Sequence, residues 1–382
     1  MKAIQAILML ILLTGCWDQR LVKDINLIYS QALDQTHDGK IETTIVTIGG
    51  GTQNQSGAGA AAVSTKPAII SGVGTTPPDS RIQLDRKVSG ELFASKNRVT
   101  LLSRGLAEQN IYSMLDVHYR SPVSTTNARI GVVNGPAKDA LHVKTAETPL
   151  ISNYLGDLLN GLENTGHIPT TSLEDILSLI FDKGTDFVLP LLQVIDHQNI
   201  ELHGVALFNQ NKMSGELSAD QTLRLLLLDQ KQDKEPRLNI KVSDQYAIKA
   251  NNYATVDVED RTSNMKLTKN KAGQFQVDFD VELTLNVIEY PKDTLYIQEN
   301  VDELNNRITA QLTKESEEVI QIIQAANCDY YGIGKHMRAF YYHDRQNTNW
   351  KELYPQIPIS VNVNTKILYH ALSTNEPVRG IL

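Results

Sequence analysis

The chain has 382 residues and a formal net charge of −8, with 44 acidic against 36 basic residues and no Lys/Arg-rich block. That balance argues against nucleic acid as a partner and against attachment to anionic lipid by charge alone, since both need clustered cations. The length allows two or three domains with real cores, and two cysteines in the whole chain exclude a disulfide-built fold.

Met1-Lys2 is followed by Ala3–Leu13, apolar except for Gln5, and then by Thr14-Gly15-Cys16. A positive start, a short hydrophobic run and small residues read as an export signal, and the run is too short to span a bilayer. Leu13-Thr14-Gly15-Cys16 resembles the bacterial lipobox. The resemblance implies cleavage between Gly15 and Cys16, removal of residues 1–15, and a diacylglyceryl group on the Cys16 thiol. Two acyl chains suffice for stable anchoring where one does not.

Leu27–Ala32 and Ile41–Ile48 alternate apolar and polar residues about Asp38-Gly39, the pattern of a hairpin. Gly49–Ser80 is rich in Gly, Ala, Ser and Pro, and its composition predicts an exposed, mobile loop. Within it, Gly57-x-Gly59-x-x-Ala62 lacks the strand–helix frame of a phosphate cradle. A helix over 86–98, a strand at Val99–Ser103, a helix over 106–119 and a strand at Ala128–Val133 suggest α/β alternation. Helices follow at Leu150–Leu162 and Leu173–Phe181, the second capped by Thr171 or Ser172, and Asp186–Pro190 closes the segment. The first region is thus 16–200, with a candidate subdivision at 134–146.

A second region, 201–372, opens with a hairpin, Glu201–Phe208 and Met213–Leu217, turning at Asn209–Lys212. Ser218-Ala219-Asp220-Gln221 fits a capping box opening a helix at Thr222–Leu228. From Asn239 strands dominate: Tyr253–Val258, Met265–Thr268, the alternating run Phe275–Val287, and Ile357–Leu368. Between the last two, Val301–Asn327 carries Val301, Leu304, Ile308, Leu312, Val319 and Ile323 as one apolar stripe. A long helix across a sheet satisfies both faces. Residues 373–382 are a tail.

Chemistry is sparse. Histidines from His118 to His370 show no metal-ligand spacing, and Gly-x-Ser-x-Gly is absent. Gly332-Ile333-Gly334-Lys335 fails the phosphate-loop pattern and reads as a helix stop using glycine's left-handed backbone. Glu315, Glu317 and Glu318 read as a solvated helix face, and Cys328 as a small buried hydrophobe near a helix end. No catalytic, metal or cofactor residues are expected, and no enzyme.

Cys16-Trp17-Asp18-Gln19-Arg20, the Ser89–Arg120 region, Val188-Leu189-Pro190, His203–Phe208, Lys212–Leu217 and Cys328–Gly334 with Trp350-Lys351 occur in the order of one family. Together they resemble the spore germinant receptor C-subunits, the Ger(x)C lipoproteins. The Gly/Ala/Ser-rich loop is longer than is usual there, and Tyr330-Tyr331 with Ile333 replaces a single aromatic before a double glycine. The resemblance implies an elongated, multi-domain α+β fold with mixed and antiparallel sheets. It also implies a receptor subunit on the outer face of the spore inner membrane that works with the A and B membrane subunits in the response to nutrients. No direct small-molecule ligand is expected. A different class, a solute-binding lipoprotein serving a transporter, requires two similar α/β lobes about a polar cleft, which the strand-rich second half does not match.

Overall fold

The computed structural model describes residues 25–49, 67–120, 125–146, 148–182, 184–291 and 295–370, so Gly15, Cys16 and residues 50–66 lie outside the described residues. The alternating segments at the start form the expected hairpin. Strands β1 (Ile25–Gln35) and β2 (Ile41–Gly49) pair antiparallel, with Gly39 at φ 79° in the turn.

The loop expected over Gly49–Ser80 is corrected in its second part. There β3 (Ala68–Gly74) pairs antiparallel with β2 at the sheet edge, and α1 (Pro77–Asp85) packs against it. The small residues serve a close approach. A Cβ on Gly74 would lie 2.2 Å from the Ser80 nitrogen, and one on Gly72 2.5 Å from the Ser80 carbonyl oxygen. Pro77 and Pro78 occupy the first helical turn, where a missing N–H costs nothing, and the Thr76 hydroxyl caps the Asp79 N–H at 3.3 Å. The helix expected over 86–98 does not form. Its residues turn through Gly90, at φ 101°, into β4 (Glu91–Phe93), which pairs parallel with the start of β1.

Strands β5 (Val99–Ser103), β6 (Arg129–Val133) and β7 (Val188–Val194) extend the sheet in parallel from β1. All five residues of β5 are buried, as befits a strand covered on both faces. One face carries α2 (Arg104–Ala107), α3 (Tyr112–Arg120) and, later in the chain, a helix over 173–181. The helix expected over 106–119 is split at residues 108–111. On the other face lie α4 (Ala137–Leu141) and α5 (Ile151–Asn164). The 173–181 helix, α6 (Leu173–Phe181), starts with a reciprocal capping box between Ser172 and Asp175, so Ser172 is the cap. Pro190, read as an ending, sits inside β7 just before its pairing with β6 begins at Leu191.

The hairpin β8 (Ile200–Asn209) and β9 (Lys212–Ser218) completes this sheet, whose order is β3-β2-β1-β5-β6-β7-β8-β9 with β4 also on β1. The Ser218–Gln221 capping box then opens α7 (Ala219–Leu228).

A second sheet follows in the order β10 (Arg237–Lys241), β11 (Tyr253–Lys269), β12 (Phe275–Glu289), β13 (Ile359–His370). The two strands expected between 253 and 268 are one, with an irregularity between Val258 and Asp260. Because β13 runs parallel to β12, a crossover is required. It consists of α8 (Gln298–Ala325), α9 (Ile333–Phe340), α10 (Tyr342–Gln346) and α11 (Trp350–Leu353). The stripe Val301, Leu304, Ile308, Leu312, Val319 and Ile323 is buried as expected, against β13, β10 and α7. Glu315 departs from the solvated reading: its carboxylate pairs at 2.7 Å with Arg224 of α7. The molecule is α+β, with two unlike sheets in tandem and α7 packed between them.

Candidate functional site

The segment Cys328–Gly334 fastens the two halves together. It follows α8, which ends through Asn327 in a left-handed conformation (φ 53°). The Asp186 carboxylate, just ahead of β7, accepts the N–H of Asp329 at 2.9 Å and that of Gln210, in the β8–β9 turn, at 2.6 Å. The Asp186 N–H in turn donates to the Asp329 carbonyl at 2.9 Å. Around this exchange, Lys335 N–H reaches the Gly184 carbonyl at 2.8 Å, and Arg338 and Lys335 hold Asp182 at 2.7 and 3.2 Å. The aromatic pair binds the end of α7: the Tyr330 hydroxyl donates to Asp229 at 2.6 Å and the Tyr331 hydroxyl to the Leu225 carbonyl at 2.9 Å.

Two glycines permit the turn. Gly332 is left-handed (φ 71°), yet it precedes α9 instead of stopping a helix, which corrects the sequence reading. A Cβ on Gly334 would meet the Trp350 ring at 2.8 Å. The N-terminus of α9 is filled by the protein's own carboxyl group, since the Asp329 side-chain oxygens accept the N–H groups of Ile333 and Gly334 at 2.8 and 2.7 Å. Burial pushes Asp329 up to about 7, against the pull of those two N–H groups. Burial likewise raises Asp186, opposed by its two backbone donors. Cys328 is fully buried, as expected, and desolvation holds its thiol well above the ordinary range, in the neutral, unreactive form.

Beside this junction opens a cleft of about 330 Å³, walled by α6, the chain just after α7, Met265, Phe279 and the Tyr330-Tyr331 pair. Sequence reading missed it because its walls come from segments far apart in the chain. A second crevice lies at the carboxyl ends of β1, β5 and β6, where open parallel sheets often take ligands. There Asp34 already accepts the N–H groups of Ala137 and Lys138 at 2.6 and 2.9 Å, so the start of α4 is occupied from within. Among the described residues no group of three His, Cys, Asp or Glu side chains is arranged to hold a metal ion. The described histidines remain dispersed; His203 approaches Glu216 at 3.7 Å.

The chain is a spore germination protein by family: residues 18–194 match the family described as spore germination protein N-terminal domain, and residues 203–370 the one described as spore germination B3/GerAC like, C-terminal. Within that class, the chain belongs to the germinant receptor C-subunit family, a family of receptor subunits and not a known class of enzyme. It is 23% identical to spore germination protein GerQC of Bacillus cereus, over 94% of this chain and 95% of that one. It is 22% identical to spore germination protein KC of Bacillus subtilis (strain 168), over 98% and 97%. The crystal structure of the GerBC protein shares the fold, with a TM-score of 0.56 at 16% identity over 88% of this chain and 96% of that one.

Proposed function

We propose that the mature protein is a lipoprotein subunit of a spore nutrient receptor, tethered through a diacylglyceryl group on Cys16 to the outer face of the spore inner membrane. It acts in germination without catalysis, by docking with the receptor's A and B membrane subunits. The observation that carries this reading is the order of parts: Leu13-Thr14-Gly15-Cys16 stands directly before the point, residue 18, where the family match begins. Among the described residues no helix is long and apolar enough to cross a membrane, which agrees with a tether supplied by lipid. Tethering confines the body to partners in the same bilayer and raises the effective concentration of weak interfaces. The two sheets differ in strand number and topology, which disfavours the two matched lobes of a solute-binding protein.

The test is Cys16→Ala. The variant is expected to fold, to leave the detergent phase on partitioning, and to lose co-purification with the A and B subunits from spore membranes. Retention in the detergent phase would refute the anchor. Recovery of the wild-type protein from spore membranes without either subunit would refute docking.

A further inference from the structure

The amino-terminal edge of the first sheet carries an open groove of about 420 Å³ between the turns that enter β5 and β6. Its lining includes Lys96, Arg98 and Arg129 and no Asp or Glu. The crevice at the opposite edge differs, because it sets Arg104 and Lys138 among Asp34, Glu42 and Glu108.

Both guanidinium groups of the groove are fixed in place. Arg98 lies on α5 at Gly156, where a Cβ would come within 3.0 Å of its guanidinium carbon, and it donates to Asn153 at 3.0 Å and to Asp157 at 2.8 Å. Arg129 donates through Nε to Asn160 Oδ1 at 3.1 Å and pairs through Nη2 with the buried Glu163 at 2.7 Å. Its Nη1 and the Asn160 Nδ2 have no partner among the described residues, and neither atom is sealed from solvent. Lys96, exposed on the rim, makes no ion pair among the described residues. With Asp157 and Glu163 each balancing one guanidinium, the three cations leave one net positive charge. Held N–H donors around a single uncompensated charge suit a singly charged phosphate diester, whose oxygens take several such donors at once.

The position of the groove indicates the source of that phosphate. Strands β1, β5 and β6 run parallel, so the groove opens at the edge where the chain enters β1 at Ile25. Two strand spacings, about 10 Å, separate β1 from β6. From Cys16 to Ile25 the chain reaches at most about 30 Å. β1 is 11 residues long, about 35 Å. A body held at Cys16 can therefore set this edge on the bilayer but cannot stand on the opposite one.

We propose that this groove seats the phosphate of an anionic phospholipid on Arg129, Asn160 and Lys96, so that the tethered body stands with its amino-terminal edge against the membrane. The proposal rests on the anchor at Cys16: the acyl chains attach the protein, and the groove sets its posture. It is tested on the full lipidated chain in vesicles of phosphatidylcholine with and without phosphatidylglycerol, both carrying a spin label on a headgroup. A bimane is placed through Ser95→Cys beside the groove, or through Asp38→Cys in the β1–β2 turn at the far edge; Cys328 is buried and Cys16 acylated, so the introduced thiol takes the label. Phosphatidylglycerol is expected to raise quenching at the first site and to leave the second unquenched. Lys96→Gln, at an exposed position, is expected to lower the ratio of seated to unseated protein roughly fivefold, the worth of one cation near an anionic surface, with an unchanged melting curve. Asn127→Glu, also exposed, sets a carboxylate in the groove and is expected to abolish the gain. Equal quenching in the two kinds of vesicle, quenching at the far edge instead, or a gain indifferent to both substitutions would overturn the proposal. Loss of the gain to inorganic phosphate at matched ionic strength would assign the groove to free phosphate and overturn the lipid assignment. A chain that fails to float with the vesicles would refute the anchor and the posture with it, whereas a floating chain unquenched beside the groove would refute the groove alone.

Discussion

At Asp329, burial and hydrogen bonding oppose each other, and burial prevails, so the carboxyl sits at about 7 against an ordinary 3.8. The folded state therefore holds a proton that the unfolded chain releases. Its contribution to stability is complete below about pH 4 and is lost as pH rises through 7, at up to about 1.4 kcal/mol per pH unit for one group. Asp186 is shifted in the same direction. Asp329→Asn cannot titrate and can accept through one oxygen only. It is expected to melt lower than wild type at pH 5 but with a flatter profile between pH 5 and 8; an unchanged slope would show that Asp329 is not the group. Asp186→Ala leaves the buried N–H of Asp329 unpaired, while that of Gln210 at the exposed turn can turn to water, and is expected to cost about 1–3 kcal/mol in urea unfolding. Cys328 was legible in sequence because a lone cysteine beside a helix end has one common fate, burial. The Asp186–Asp329 exchange was not, because nothing local marks two carboxylates 143 positions apart as neighbours.

Elements with a strong period were the easy ones. β12 alternates from Phe275 to Val287 and the apolar stripe of α8 recurs at three, four or seven residues, so burial follows directly from spacing. The stretch from Ala68 to Ser80 was misread because glycine and proline carry two meanings. In Gly72 and Gly74 the absent side chain admits α1 onto β3, and in Pro77-Pro78 the fixed φ starts a helix. Gly74→Val is expected to lower the melting temperature sharply, since its side chain would overlap the Ser80 backbone and helix or strand must shift; overpacking of this kind costs about 1–3 kcal/mol or more. Deletion of Ser56–Ser64, whose composition offers little to bury and whose loop entropy changes only logarithmically, is expected to shift the melting temperature little. Equal losses in the two variants would mean that both halves of the glycine-rich stretch pack.

Across the whole molecule, α7 decides whether two sheets make one folding unit or two. In the parallel run β1-β5-β6-β7 the alternation of elements made β5 and β6 legible as strands, whereas β7, read as an ending at Pro190, and the meeting of the two sheets at α7 are matters of tertiary packing. All seven residues from Thr222 to Leu228 are buried, and one apolar cluster runs from Leu101 and Val205 of the first sheet through Leu225 to Val281 of the second and Leu312 of α8. Arg224 pairs with Glu315, and Arg261 of β11 donates to the carbonyls of Leu227 and Asp229 at 3.3 and 2.7 Å. A helix buried on every side from Thr222 to Leu228 cannot keep its environment if either sheet opens, so the sheets are expected to unfold together. Leu225→Ala, at a fully buried site, is expected to cost about 2–5 kcal/mol. In urea, Trp350 fluorescence in a Trp17→Phe background reports the second half, and amide exchange of Leu101 and Leu102 reports the first. Coincident midpoints in wild type, displaced by the same amount in Leu225→Ala, are expected. Separate midpoints, with only one of them moved, would establish that α7 belongs to one half and merely touches the other.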